Sequence, residues 1–425
     1  MSEKVWHIEG MKKKIAVNQL RLGMFIDEFC GSWMDHPFWK NSFKVEDAKV
    51  LAQIQASPIK ELWIDTHKGL DVAPLDVHDD VEVLAPAPIG AATARVMPAA
   101  PIAEARAAQE PPTSLGDELQ RARKIVGQAR GAVINMFQDV RMGKAIDAEH
   151  CLPLVEDISR SVGRNPGALV SLARLKTSDD YTYMHSVAVC ALMVALAKQL
   201  NLSEADTREA GLAGLLHDLG KAVMPPEVLN KPGKLTDAEF TVMKSHPVEG
   251  HKMLLEAKGA GEIPLDVCLH HHEKMNGSGY PHRLKAGQIS LYARMGAVCD
   301  VYDAITSNRP YKAGWDPAES VLNMVQWTKD GHFDDQVFQA FVRSIGIYPI
   351  GSLVRLKSGR LGVVIEQGEN SLTNPIVKAF FSTKSNEPIM PVVLALGTPG
   401  CSDQIVARES PSAWNFPNLD DLWTS

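Results

Sequence analysis

Apolar residues recur at helical spacing through most of the chain. Between residues 115 and 160 they are separated by three or four positions, and the pattern resumes from Asp179 to about Ile345 with loops between the repeats. Such a repeat is typical of helices that bury one face. The segments Ser203–Asp206 and Thr236–Glu239 have the spacing of a capping box, which predicts a helix start at each. We therefore predict that the central part of the chain is all-helical.

Both ends of the chain have shorter apolar runs that are bounded by turn residues. Near the start, three runs predict short strands: Ile15–Val17, Met24–Ile26 and Glu61–Asp65. Residues 45–55 have helical spacing, so a small α+β domain is predicted there. After Tyr348, three further runs are β-like and predict a small β module: Ser352–Leu356, Gly362–Glu366 and Val377–Phe381.

A stretch rich in alanine and proline separates the first domain from the helices. It has few large apolar residues, so it cannot bury enough surface to offset the entropy of ordering, and we interpret it as a linker. The predicted fold is therefore a multidomain, mainly α protein. Its parts are an α+β domain at 11–82, a linker at 83–112, an all-helical domain at 113–345 and a β-rich module at 346–425.

Composition narrows the classes of function. The chain has 425 residues, 45% of them hydrophobic, which is enough for more than one folded core. A net charge of -7 argues against a broad nucleic-acid-binding face, so no DNA partner is expected. The six cysteines form no CxxC pair, which indicates reduced thiols, and no apolar run reaches the ~20 residues of a membrane span. We expect a cytoplasmic protein.

Histidines are concentrated in the helical part. Eight of the 14 lie between His185 and His282, several of them inside apolar sequence on different predicted helices. Buried imidazoles and carboxylates are costly unless they share a ligand, and together they suit divalent metals such as Fe, Mn, Zn, Co or Ni. The candidate ligands exceed the need of one ion: His185, His217, Asp218, His246, His271, His272 and Asp300. Two ions sharing a carboxylate are the arrangement used in phosphate-ester cleavage.

The motifs of this region resemble the HD-GYP phosphodiesterases, the HD-superfamily hydrolases that cleave the bacterial second messenger cyclic di-GMP. In chain order the motifs are His185, His217-Asp218 with Lys221, His246-Pro247, His271-His272-Glu273, Asn276–Pro281, Asp300–Asp303 and Arg309–Lys312. Residues 11–80 resemble the domain of unknown function that often precedes HD-GYP domains. The resemblance implies an all-helical catalytic domain and a cyclic di-GMP phosphodiesterase.

The resemblance also assigns ligands. It implies that one metal is bound by His185, His217, Asp218 and Asp300, and a second by His246, His271 and His272, with Asp218 as the bridge. Fe or Mn is the expected metal, with Zn, Co and Ni as alternatives. Third-metal members carry a Glu four residues before the first ligand histidine, where this chain has Tyr181, so two metals are expected.

Further roles follow from the same resemblance. Lys221 is expected to be catalytic and to neutralise the scissile phosphate, and Arg309 and Lys312 are expected to hold substrate phosphates. Asp303 is grouped with these residues and expected to orient a ligand or Arg309. Two readings of Glu273 stay open, a partner of a ligand imidazole or a surface carboxylate.

The loop Gly279-Tyr280-Pro281 is the signature of the family. It is included with the substrate-binding residues and is associated with docking of GGDEF-type cyclic di-GMP synthases. A purely structural loop that supports His271 and His272 is an equal alternative.

The expected reaction is attack by a metal-bridging hydroxide on cyclic di-GMP, giving linear pGpG and, if the dinucleotide is accepted again, GMP. Two alternatives stay open. One is a catalytically weak cyclic di-GMP receptor or scaffold that acts through protein contacts. The other is an HD hydrolase of another nucleotide.

Overall fold

The computed structural model describes residues 12–30, 43–55, 60–66, 68–70, 111, 113–175, 181–231, 233–308, 314–368, 371–414, 416 and 419–424. The chain forms two compact units, residues 1–105 and 106–425. Apart from Pro111, the predicted linker lies outside the described residues. None of the described helices combines the length and the apolar composition that a membrane crossing requires.

The first unit contains a four-stranded antiparallel sheet and one helix. In chain order its elements are β1 (Lys12–Ala16), β2 (Phe25–Cys30), β3 (Phe43–Lys44), α1 (Ala48–Gln55) and β4 (Glu61–Asp65), and the strands lie in the order β1-β4-β2-β3. Along β4, Leu62 and Ile64 are fully buried while Glu61 and Trp63 are exposed, which is the period of two that a half-buried strand requires. The predicted α+β fold is confirmed.

The second unit begins with twelve helices in the described ranges: α2 (Leu115–Arg141), α3 (Leu152–Arg164), α4 (Pro166–Arg174), α5 (Tyr181–Gln199), α6 (Glu204–Leu216), α7 (Pro226–Leu229), α8 (Asp237–Met243), α9 (His246–Leu255), α10 (Glu262–His270), α11 (Leu291–Thr306), α12 (Pro317–Lys329) and α13 (Asp335–Ile345). Both predicted helix starts are confirmed. Ser203 caps α6, and Thr236 with Glu239 forms the complete capping box of α8.

Helix α5 runs through the centre of the helical part. From Val187 to Ala197 no residue is more than 5% exposed, because the sequence is apolar on every face of the helix. The helices α3, α4, α6, α11 and α13 pack around it. His185 lies in the first two turns of this buried helix and is therefore held inside the protein.

The remaining residues form a five-stranded antiparallel sheet. Its strands are β5 (Leu353–Leu356), β6 (Arg360–Glu366), β7 (Ile376–Ser382), β8 (Glu387–Ala395) and β9 (Ile405–Arg408), in the order β8-β7-β6-β5-β9, and the short helices α14 (Pro411–Trp414) and α15 (Asp421–Thr424) follow. Three strands were predicted, whereas β8 and β9 were not. One face shares a core with the helices, where Leu353 and Phe380 pack with Leu119 of α2 and Ala168 of α4.

Candidate metal centre

Five of the seven predicted ligands lie on, or at the ends of, five helices that meet at the centre. His185 lies on α5 and Asp300 on α11, His217 and His271 are the C-caps of α6 and α10, and His246 is the first residue of α9. A close approach makes this possible: a Cβ on Gly220 would lie 1.9 Å from the carbonyl oxygen of His246. Only glycine therefore allows the turn after Asp218 to pass against α9.

Three of these side chains form one group of possible ligands. The Nε2 atom of His185 lies 2.9 Å from Oδ1 of Asp300, and Nε2 of His217 lies 3.8 Å from the same oxygen. All three residues are buried, and their nitrogen and oxygen atoms are close enough to share an ion.

The other three histidines form a second group. The Nε2 atoms of His246 and His271 are 3.4 Å apart, and the ring of His272 lies 4.1 Å from that of His271. His246 and His271 are buried, whereas the side chain of His272 is 21% exposed. This group therefore has an opening toward solvent at His272.

Asp218 lies between the two groups and presents one oxygen to each. Its Oδ2 is 3.4 Å from Nε2 of His185 and 3.3 Å from Nε2 of His217. Its Oδ1 is 3.2 Å from Nε2 of His246 and 3.8 Å from Nε2 of His271. A carboxylate in this position is able to bind two ions at once, one through each oxygen.

The outward-facing nitrogens of three of the imidazoles have hydrogen-bond partners. The Nδ1 atoms of His217 and His246 donate to the carbonyls of Gly214 and Met243 at 2.8 and 2.7 Å. Nδ1 of His271 is 3.0 Å from the carbonyl of Val267. When Nδ1 carries the proton, Nε2 presents its lone pair to the centre, which is the tautomer that a metal ion needs.

The carboxylates of the centre are held in their charged form. Burial alone would raise the pKa of Asp218, but the charge of Lys221 and the contacts with His217 and His246 outweigh it and place the pKa well below its usual range. The pKa of Asp300 is likewise well below its usual range, because His185 and His217 overcome the effect of burial. Two buried negative charges therefore face each other across the centre.

The imidazoles divide into two kinds. Burial lowers the pKa of His271 well below its usual range and that of His272 to about 3, so both are neutral near pH 7. Burial also acts to lower the pKa of His217, but the charges of Asp218 and Asp300 outweigh it and raise the pKa to about 10. The centre therefore favours a positive charge beside His217.

Two buried atoms without hydrogen-bond partners indicate whether the residues suit a metal ion. Nε2 of His217 and Oδ1 of Asp218 are buried and have no hydrogen-bond partner among the described residues. Buried polar atoms are rarely left unpaired, and a divalent cation would satisfy both of these. The donor set of imidazole and carboxylate, without thiolate, suits Fe, Mn, Zn, Co or Ni. The residues fit the implied metal.

Asp303 lies behind His185 and contacts its ring. It is 2% exposed, its Oδ2 lies 2.6 Å from Nδ1 of His185, and its Oδ1 accepts from the hydroxyl of Ser307 at 3.1 Å. A carboxylate in this place fixes the orientation and tautomer of the imidazole. In this position Asp303 would orient a candidate ligand, and its predicted role toward the substrate stays a prediction.

Glu273 supports the signature loop, and neither sequence-based reading of it anticipated this role. The residue is 2% exposed, and its carboxylate accepts from the backbone N–H groups of His282 at 2.7 Å and Leu284 at 3.0 Å. Within the loop, the ring of Tyr280 lies 4.7 Å from that of His272. The loop Gly279-Tyr280-Pro281 is thus fixed against the more open side of the centre.

The structure describes one of the three charged residues that are predicted to bind phosphate. Nζ of Lys221 lies 2.5 Å from Oδ2 of Asp218, and the side chain is 21% exposed, so it reaches both the centre and solvent. Arg309 and Lys312 lie outside the described residues, as does the side chain of Tyr181. Their predicted roles stay predictions.

Comparison with known proteins gives two family matches. Residues 12–151 match a domain of unknown function (DUF3391), and residues 164–337 match the HD domain. The cyclic di-GMP phosphodiesterase PA4108 of Pseudomonas aeruginosa is 54% identical over 97% of this chain and 96% of its own. This similarity covers both compact units.

Two other relatives match a smaller part of the chain. The cyclic di-GMP phosphodiesterase response regulator RpfG of Xanthomonas campestris is 41% identical over 35% of this chain and 39% of its own. The 3'3'-cGAMP-specific phosphodiesterase 1 of Vibrio cholerae is 32% identical over 46% of each chain. The relatives are therefore named for two different cyclic dinucleotides.

Proposed function

The chain belongs to the HD-GYP family of HD-domain phosphodiesterases, and we propose that it hydrolyses cyclic di-GMP at the His/Asp centre with two divalent metal ions. The relative that matches over nearly the full length of both chains is named for this substrate. A relative named for 3'3'-cGAMP matches less than half of the chain at lower identity. Cyclic di-GMP is therefore the first substrate to test.

The position of Asp218 is the observation that carries the proposal. Its two oxygens face two separate groups of imidazoles, and one of those oxygens has no hydrogen-bond partner among the described residues. We assign His185, His217 and Asp300 to one ion, His246, His271 and His272 to the other, and Asp218 to both. When bound, such ions supply Lewis-acid chemistry that stabilises charge on a phosphate and activates a water.

The protein residues supply position and charge. Lys221 places its ammonium beside Asp218 at the partly exposed edge of the centre, where it would neutralise a phosphate oxygen of the substrate. Glu273 holds the loop that carries Tyr280, and that ring would wall the site on the side of His272. Arg309 and Lys312 would hold the second phosphate through charge-assisted hydrogen bonds.

The first product would be linear pGpG, formed when the phosphodiester bond to one 3′ oxygen breaks. A second cycle to GMP requires that the same centre accept the linear dinucleotide. We take Fe or Mn as the working metals, with Zn, Co and Ni as alternatives. Docking of a GGDEF-type synthase through Gly279-Tyr280-Pro281 is a further element of the proposal.

The test is turnover by purified full-length protein of known metal content. Cyclic di-GMP and 3'3'-cGAMP are supplied separately, and pGpG and GMP are separated by chromatography. We expect faster cleavage of cyclic di-GMP, with activity that follows metal content. Tight binding of cyclic di-GMP without turnover by metal-loaded protein would instead identify a receptor, and faster cleavage of 3'3'-cGAMP would move the assignment to the other cyclic dinucleotide.

A further inference from the structure

A cavity lies between the helices and the C-terminal sheet. Its volume is about 750 Å³, and it is lined by residues of α4, α5, α11 and α13 and by the segment after β6. This volume is in the range of pockets that bind small organic molecules. The cavity shares Asp303 with the metal centre but contains none of the seven candidate metal ligands. It is therefore a separate site.

Basic side chains outnumber acidic ones in the cavity wall. The basic residues are Arg164, Arg174, Lys198 and Arg343, and the acidic residues are Asp303 and Glu366. Arg164 is neutralised by Glu118, with which it makes two hydrogen bonds of 2.7 and 2.8 Å. Asp303 is engaged with His185. Lys198 lies 4.0 Å from Glu204. Arg174 and Arg343 therefore remain as the main basic groups of the wall, with Glu366 as the acidic one.

Arg174 is the most informative of these residues. Its side chain is 11% exposed, yet its contact with a carboxylate, that of Asp420, is 3.9 Å long. Its guanidinium lies 5.8 Å from the centre of the Trp423 ring, and no hydrogen-bond acceptor is found for it among the described residues. A guanidinium carries five N–H donors, and neither Asp420 at 3.9 Å nor the nearby charge of Asp316 gives it a short hydrogen bond, which favours an anion in the cavity.

The other residues of the cavity wall restrict which chemical groups the anionic ligand contains. Val162, Val170, Leu192, Ile345 and Ile350 give the cavity an apolar surface, which needs an apolar body in the ligand. Oε1 of Gln367 is buried without a donor among the described residues, so it needs an N–H or O–H group. Inorganic phosphate has O–H groups but no apolar body. A nucleoside monophosphate supplies the anion, a flat base and the donors of its base and sugar.

We propose that this cavity is a second ligand site, which binds a nucleoside monophosphate. The phosphate lies toward Arg174 and Arg343, and the base lies against the apolar wall beside Gln367. The inference does not depend on which cyclic dinucleotide the metal centre cleaves, because it rests on the composition of a different cavity.

The test is calorimetric titration of the full-length protein with GMP, AMP and inorganic phosphate in turn. Arg343→Ala removes an exposed positive charge that has no ion pair within the described part of the chain. We expect it to weaken nucleotide binding about tenfold, as expected for one charge-assisted contact. Val170→Phe fills part of the cavity and is expected to abolish binding.

Two controls separate this cavity from the metal centre. Lys329→Ala removes an exposed charge of α12 that does not line the cavity, and it should leave binding unchanged. Asp218→Asn alters the metal centre and should leave nucleotide binding in the cavity unchanged.

Three results would overturn the proposal. These are no binding of either nucleotide, binding lost in Asp218→Asn but kept in Arg343→Ala, and equal affinity for nucleotide and inorganic phosphate. If Val170→Phe lowers the melting temperature of the free protein, Arg343→Ala alone decides, since that side chain is exposed.

Discussion

Two groups of buried charged side chains in the second unit have opposite states of pairing. At the contact of α2 with α3, the carboxylate of Glu118 is fully buried and accepts from Arg164 at 2.7 and 2.8 Å and from Ser161 at 2.7 Å. At the metal centre, Asp218 is also fully buried, but its Oδ1 has no hydrogen-bond partner among the described residues. The first group is complete without a ligand and the second is not.

This difference separates a structural cluster of charges from a functional one. A buried carboxylate whose oxygens all have donors needs nothing further, and its role is to hold helices together. A cluster that leaves facing atoms unpaired costs stability until a cation joins it. Burial and charge alone therefore do not distinguish the two groups, whereas unpaired atoms on neighbouring side chains of one cluster do.

The largest expected effect comes from Asp218→Asn. The substitution keeps the shape of the side chain but removes the charge that faces both groups of imidazoles. We expect activity to fall by about a thousandfold, with loss of bound metal. Elemental analysis and turnover of cyclic di-GMP measure the two quantities.

The matched control for this variant is Asp237→Asn, which changes an exposed carboxylate on α8. It should retain metal and activity. If Asp218→Asn kept more than about a tenth of wild-type activity and its full metal content, Asp218 would not be the shared ligand.

Glu118→Gln should have the next largest effect, and on stability rather than activity. It removes the charge of the carboxylate that pairs with Arg164, a side chain that is only 10% exposed. Breaking a buried pair in this way costs about 3 kcal/mol in the free energy of unfolding. Urea denaturation measures the loss, and Gln120→Ala at an exposed position of α2 is the control.

Glu118→Gln should leave the properties of the metal centre unchanged. Metal content and the turnover number per folded molecule should match the wild type, because Glu118 does not contact any candidate metal ligand. A loss of metal from folded Glu118→Gln would show that the two clusters are coupled.

Asp303→Asn should have a smaller effect at the metal centre. An asparagine oxygen still accepts from Nδ1 of His185, but it lacks the charge that strengthens this contact. Loss of such a supporting carboxylate lowers metal affinity or activity by about ten- to a hundredfold. Titration of metal-free protein with Mn²⁺ or Fe²⁺ measures the affinity, and an unchanged affinity with a lower melting temperature would show a purely structural role.

The sequence predicts the helical part, and the candidate metal ligands that it suggests lie close together in the structure, for a physical reason. His185 and Asp300 lie in largely apolar stretches of their helices, and polar groups in such places need a shared partner. The same argument does not reach Asp303 or Glu273. Helix rotation and packing decide which of several nearby carboxylates faces an imidazole or a loop N–H group. The spacing of apolar residues specifies neither of them.

The C-terminal sheet shows another limit of sequence patterns. Strand β8 has Pro388 and Pro391 within it, and prolines argue against a strand. It lies at the edge of the sheet, so no described strand pairs with its outer side. A proline, which lacks an N–H group, loses no hydrogen bond on that side. Edge position is a property of topology, so the sequence alone did not predict β8.

The smallest expected effect concerns the pH dependence of stability. Burial alone would raise the pKa of Glu118, but the hydrogen bonds and charge of Arg164 with the hydroxyl of Ser161 outweigh it and leave the pKa below its ordinary value of 4.5. A carboxylate with a lowered pKa in the folded state stabilises the fold above pH 4.5, and this contribution is lost as the pH falls through the folded-state pKa. Glu118→Gln has no such group, so its free energy of unfolding should fall less steeply below pH 4.5 than that of the wild type. Urea denaturation of both proteins at several acidic pH values measures the two slopes. Equal slopes would mean that Glu118 titrates alike in the folded and unfolded chains, and that its pairing with Arg164 gains nothing from its charge.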